Sequence, residues 1–143
     1  MNTHLSILVK DVFKALEAKD LSTVIHFFHD DAEFLDPHYP NVHMKGKDEI
    51  TRGLTWSFKG IKAFNFTPVN YFENENGTNA SIEMATTLKL ANGKTVSHLQ
   101  VFIIETKNKK ISRCQAFQTY GPHGMLKVIL FITRFVNKLR PSK

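Results

Sequence analysis

Leu5, Leu8, Val9, Val12 and Leu16 recur at the three- and four-residue spacing of an amphipathic helix, which the pattern predicts over residues 4–18. Asp20 is placed to cap a second helix with Leu21, Val24, Ile25 and Phe28 on its buried stripe. The period then changes. In "HDDAEFLD", Ala32, Phe34 and Asp36 sit on one face of a short strand, and Pro37, which has no N–H for a ladder, ends it. A third helix is predicted over about 47–58, with Asp48 and Glu49 in its positive first turn and Gly60 just beyond its end.

From there the period is two. Phe64 and Phe66 alternate with polar residues, "ENENGT" offers a hairpin turn at Asn76-Gly77, and residues 79–91 alternate around Ile82, Met84, Thr86, Leu88 and Leu90. Asn92-Gly93 supplies a second turn, and the basic "TKNKK" joins strands over 94–106 and 110–120. Short connections make this an antiparallel meander, and helices followed by a long sheet make an α+β chain. On 94–106, Val96, His98, Gln100, Phe102 and Ile104 share one face, while Leu99, Val101 and Ile103 share the other. Both faces are apolar at the centre and need cover. The helices cover one, and a second subunit is expected on the other, giving a homodimer through the sheet face.

Composition narrows the class. A chain of 143 residues reads as one domain that buries roughly 68–70% of its unfolded surface without disulfide or metal. The single cysteine, Cys114, has no internal partner and fits a reducing, cytoplasmic setting. The first twenty residues read as an amphipathic helix, so no secretory signal is expected. The formal charge is +6, but no aromatic-interleaved basic stripe that would stack bases is seen, which argues against nucleic acid. His26, His29, His38 and His43 lie near Asp30, Asp31 and Asp36, yet their spacing matches no specific zinc signature, so neither metal nor cofactor is expected.

The stretches "ALEAKDLSTVIHFFHDDAEFLDP", "MKGKDEITRGL" and "KTVSHLQVFIIETKNKKISRCQAF", in that order and spacing, resemble the NTF2-like superfamily in its SnoaL-like and ketosteroid-isomerase-like branch, over about residues 5–121. The resemblance implies a cone-shaped (cystatin-like) fold: a curved antiparallel sheet wrapped round helices, an apolar pocket inside, and often a sheet-to-sheet dimer. On this reading residues 1–124 form the domain and residues 125–143 a C-terminal basic amphipathic helix and tail. In ketosteroid isomerases the general base is an aspartate followed by proline after the first strand, which Asp36-Pro37 matches. Their oxyanion hole uses a first-helix tyrosine, where Val12 stands here, and a protonated aspartic acid on a long strand, where Gln100 stands. The last-strand aspartate of SnoaL-type cyclases has no counterpart in "ISRCQAFQTY".

The candidate residues carry competing readings. Asp36 is either a solvated Asp-Pro turn opener or a general base at an apolar mouth, held extended by Pro37. His98 and Gln100 are either satisfied core polars or donors to a developing enolate oxygen. Phe34, Tyr39, Trp56, Met84, Phe102, Cys114, Gln118 and Tyr120 are the candidate ligand-binding residues. His38 and Tyr39 flank the entrance or lie on a solvated loop. In the tail, Leu126, Ile129, Leu130 and Val136 occupy one broad helical face among basic residues. Docking of this helix on the protein is preferred to its lying on an anionic membrane. The function expected is binding of a small apolar molecule in an internal pocket. As an isomerase or cyclase the protein would abstract a proton next to a carbonyl; the alternative is a non-catalytic ligand-binding or protein-interaction module.

Overall fold

A computed structural model describes residues 3–118 and 124–139. The elements run α1 (His4–Glu17), α2 (Leu21–Phe27), β1 (Phe28–Leu35), β2 (His43–Lys45), α3 (Gly46–Gly60), β3 (Ile61–Glu73), β4 (Asn79–Leu90), β5 (Thr95–Lys107), β6 (Lys110–Gln118) and α4 (Gly124–Leu139). The six strands form one sheet in the order β2-β1-β6-β5-β4-β3. β1 runs parallel to β6, and every other neighbouring pair is antiparallel.

Local chemistry explains the helical half. Thr3 caps α1 by accepting from the Ser6 N–H at 3.0 Å, and Asp20 caps α2 by accepting from the Thr23 N–H at 3.1 Å. Lys19 sits between them at φ 55°. Its ammonium donates to the Phe58 and Ile61 carbonyls at 2.6 and 2.7 Å, so the end of α3 is held by a positive charge where the helix dipole favours one. Phe28, expected on the stripe of α2, is instead extended and opens β1.

The core forms between α1 and the concave face of the sheet. Leu5, Leu8, Val9 and Val12 of α1 are buried, as are Ala80, Ile82, Met84 and Thr86 on alternate positions of β4. Phe13 meets Phe66 and Phe102 edge-on, with ring centroids 5.0 and 4.9 Å apart, the geometry that aromatic quadrupoles favour. Each fully buried side chain of this size contributes roughly 1.5–3 kcal/mol over its exposed state. Gly53 is required for close approach: a Cβ there would overlap the Met44 sulfur and lie 3.2 Å from the Tyr39 ring, so glycine lets α3 close on β2 and the loop before it.

Two details differ from expectation and a third matches it. β2 pairs with the edge of β1 and was not read from the sequence. The Asn76-Gly77 connection is longer than a two-residue turn, because Asn74 accepts through its side chain from the Thr78 and Asn79 N–H groups at 2.9 and 3.1 Å. The turn expected in "TKNKK" forms at Asn108 and Lys109, at φ 53° and 61° between the paired Lys107 and Lys110, the twist-matched primed geometry.

The C-terminal helix meets the domain along one side only. α4 meets the domain through Leu130, only 1% exposed, and the half-buried Thr133 and Arg134, while Ile129 and Val136 remain exposed. Among the described residues no helix is long and apolar enough to cross a membrane.

Candidate functional site

Strand register assembles the site. β1 pairs Phe34 with Cys114 of β6, β6 pairs Gln118 with Gln100 of β5, and β5 pairs His98 with Thr86 of β4. The period-two alternation sends Phe34, Cys114, Ala116, Gln100, Phe102, Met84 and Thr86 inward, and all are buried. Asp36 follows the last residue of β1 on the same parity and is 7% exposed.

The turn after β1 fixes that carboxylate. The Asp36 N–H donates to the Val42 carbonyl at 3.0 Å and the Tyr39 N–H to the Asp36 carbonyl at 3.2 Å, closing the loop through Pro37. Asp36 Oδ1 accepts from the His38 backbone N–H at 2.8 Å, the self-capping that an aspartate gives a turn. The same oxygen lies 3.5 Å from His38 Nδ1 and 3.5 Å from Gln118 Nε2. Those two are at the far edge of hydrogen-bond range, so the backbone bond dominates. Asp36 therefore combines the two readings its sequence allowed: it opens the turn and it is buried.

Two histidines stand beside it. The His38 and His98 rings stack at 6.3 Å between centroids and 13° between planes. His38 Nδ1 and His98 Nε2 are both buried without a hydrogen-bond partner among the described residues. Burial holds His98 below the ordinary histidine value and the neighbouring His38 adds to this, while Gln100 and the Asp36 charge act the other way. Gln100, 5% exposed, donates through Nε2 to Thr86 Oγ1 at 2.7 Å. One amide proton of this candidate donor is thus engaged with a neighbouring strand.

Sequence reasoning left His38 on the entrance loop. Its signal was its place two residues after Asp36, the spacing at which an aspartate turn folds back on itself. Tyr39 packs edge-on against Phe34 at 5.3 Å and tilts on Trp56 at 6.1 Å, with its hydroxyl donating to Ser57 Oγ at 3.3 Å. Burial and the Asp36 charge both push the Tyr39 hydroxyl well above the usual phenol range. The Cys114 thiol is buried and pushed up to about 12, first by burial and then by Asp36, with Arg113 opposing.

The expected internal pocket takes a different form. Phe34, Met84, Phe102 and Cys114 belong to the packed core cluster, with Tyr39 and Phe66 against it. An open cleft of about 350 Å³ lies instead at the end of β1 and β6, lined by Leu35, Asp36, Pro37, Val42 and residues 115–118, from both faces of the strands. Its volume suits a small molecule. Asp36 and Gln118 line it, whereas His98, Gln100 and Trp56 do not. Tyr120 lies outside the described residues. Among the described residues no group of three His, Cys, Asp or Glu side chains is arranged to hold a metal ion.

Arg134 of α4 braces the loop from outside. Its guanidinium donates to the Pro37 and Tyr39 carbonyls at 2.8 and 3.1 Å, those of the two residues flanking His38.

Helices packed on a curved sheet of this order, with a parallel β1–β6 pair inside it, are the arrangement of the NTF2-like class. Residues 9–114 match the SnoaL-like domain, and the chain belongs to that family. An NTF2-like protein of unknown function from Burkholderia pseudomallei is similar over 99% of this chain and 100% of its own, at 14% identity and a TM-score of 0.73. A Mycobacterium tuberculosis protein solved in complex with estradiol-17β-hemisuccinate is similar over 82% of this chain and 95% of its own, at 13% identity and a TM-score of 0.73. A third, from Catenulispora acidiphila, has a ketosteroid isomerase-like fold and was solved in complex with trimethylamine. It covers 80% of this chain and 85% of its own at 16% identity and a TM-score of 0.69. At these identities the likeness is one of fold. No curated protein matches the sequence.

Proposed function

We propose that this protein binds a small, mostly apolar molecule beside Asp36 and abstracts a proton next to its carbonyl, as in isomerisation or aldol-type cyclisation. The observation that carries the reading is a carboxylate 7% exposed on the wall of an open cleft of about 350 Å³. The contacts of that carboxylate to His38 and Gln118 all converge on Oδ1. Oδ2 is the oxygen assigned to take the proton. Gln118 is the nearest amide donor to a developing oxyanion, and His98 and Gln100 extend the polar row behind it. The setting is cytoplasmic, and the exposed Leu99 and Phe117 on the convex face are where a second subunit would pack.

The competing reading is a non-catalytic binding module on the same scaffold. It is supported by the packed interior and by the engagement of Gln100 with Thr86. Exchange of carbon-bound protons for deuterium in a panel of cyclic enones and β-diketones, followed by NMR, separates the two. Asp36→Asn preserves shape and removes the base, so exchange should fall by about 10²–10⁴-fold while ligand-induced thermal shifts persist. Equal exchange rates in the variant and the parent protein would leave the binding module standing.

A further inference from the structure

α4 presents its largest apolar surface away from the domain. At 100° per residue, Leu130 and Arg134, which meet the domain, fall on the side opposite Met125, Ile132 and Leu139. Met125, Val128, Phe131, Ile132, Phe135 and Leu139 are all exposed, Phe131 to 71%. The apolar arc they share with Ile129 and Val136 spans nearly half the helix circumference, over a length of about 24 Å. Lys127 and Lys138 stand along one border of that arc, next to Phe131. A patch of this size on a soluble domain marks an interaction surface.

Charge says what kind. All thirteen acidic residues of the chain precede Thr106, and nine of its nineteen Lys and Arg follow it. The helix therefore belongs to a segment with only positive charge. A second copy of α4 is a poor occupant. Met125, Val128, Ile132, Phe135 and Leu139 have the spacing of a coiled-coil seam, but the flanking positions are Ile129, Phe131, Val136 and Lys138. A two-stranded coil wants paired opposite charges there, and none is available. A broad apolar face bordered by lysines, with the anchored side opposite, is the arrangement of a helix lying in a lipid–water interface.

We propose that α4 is an interfacial helix that docks the protein on an anionic phospholipid surface, burying Phe131, Ile132 and Phe135 among the acyl chains with Lys127 and Lys138 at the headgroups. The inference stands independently of whether Asp36 is catalytic. Because Arg134, on the side of the helix opposite the apolar arc, ties it to the loop around His38, the docked helix lies between that loop and the bilayer.

The test is sedimentation of the full chain with vesicles of phosphatidylcholine containing 30% phosphatidylglycerol, against phosphatidylcholine alone. Binding is expected to the anionic vesicles and to weaken as salt is raised. Lys127→Glu with Lys138→Glu should reduce it at least about tenfold, since each basic residue near an anionic surface is worth roughly fivefold. Phe131→Ser with Phe135→Ser should abolish it, and both positions are exposed, so the fold is retained. The far-UV spectrum and the mass by light scattering should not change in either variant. Failure of the parent chain to sediment with anionic vesicles overturns the proposal. So does a fall in mass on Phe131→Ser with Phe135→Ser, which would mean that a second copy covers this face.

Discussion

Removing the Thr86 hydroxyl isolates the buried hydrogen bond between side chains of β4 and β5. Gln100 Nε2 reaches Thr86 Oγ1 at 2.7 Å, and both side chains are buried. Thr86→Val keeps the branched shape and leaves the Gln100 amide facing a methyl group. An unpartnered buried donor costs about 1–3 kcal/mol, whereas replacing both partners by apolar groups of similar shape is nearly neutral. With an unfolding entropy of roughly 2.1 cal/mol/K per residue, a chain of 143 residues loses about 3–10 °C in Tm for that cost. Gln100→Leu alone strands the hydroxyl and should cost a similar amount. The double variant should return to within about 1 kcal/mol of the parent, giving a coupling energy of about 1–6 kcal/mol in a double-mutant cycle. Urea unfolding at matched pH reads all four proteins. If the two single losses add to within about 0.5 kcal/mol in the double variant, the pair is not coupled and the reading of Gln100 as a structurally engaged amide is wrong. A double variant that is stable yet no longer binds ligand would show that Gln100 is kept for the site at some expense to the core.

Two further outcomes follow from the same coordinates. Because burial favours the neutral His98 ring, the unfolded chain takes up a proton as pH falls through about 6.5 while the folded chain does not, so stability should decline there and level off once the folded ring titrates. His98→Asn should remove that component of the urea midpoint's pH dependence, and an unchanged profile would refute the assignment. On the convex face, Val101→Asp places a charge between the exposed Leu99 and Phe117 and should convert a dimer to a monomer by light scattering, whereas a monomeric parent at micromolar concentration would end the idea of a sheet-face dimer.

The elements were legible wherever one period held for three or more repeats. The α1 stripe and the alternation of β4 and β5 carry both the elements and the buried face, and parity with Phe34 puts Asp36 on the side of β1 that is buried. β2 escaped because three residues cannot display a period; only pairing with the edge of β1 makes His43–Lys45 a strand. The Gln100–Thr86 bond was not legible either: a two-residue Asn92-Gly93 turn would set Thr86 opposite Leu99, whereas the three-residue turn that forms, closed by the Leu90 N–H on the Lys94 carbonyl, sets it opposite His98 and diagonal to Gln100. Whether the cone is hollow was not readable. That depends on how Phe13, Phe66 and Phe102 interlock, a matter of volume and rotamer that alternation does not encode. The same limit applied to α4: its broad apolar face was plain in the sequence, but the side anchored by Leu130 and Arg134 depends on tertiary contacts.

The lone thiol, finally, is a built-in clock. Cys114 lies inward on β6, opposite Phe34 of β1 and Ile104 of β5, and its buried, protonated sulfur is inert toward alkylating reagents. Reagent reaches it only when the packing over the concave face of β6 opens, beside the strands that carry the Asp36 turn and Gln100. The rate of modification in native buffer therefore times the opening of this sector with no label added. Slower modification in the presence of a small molecule would report occupancy before any reaction is known.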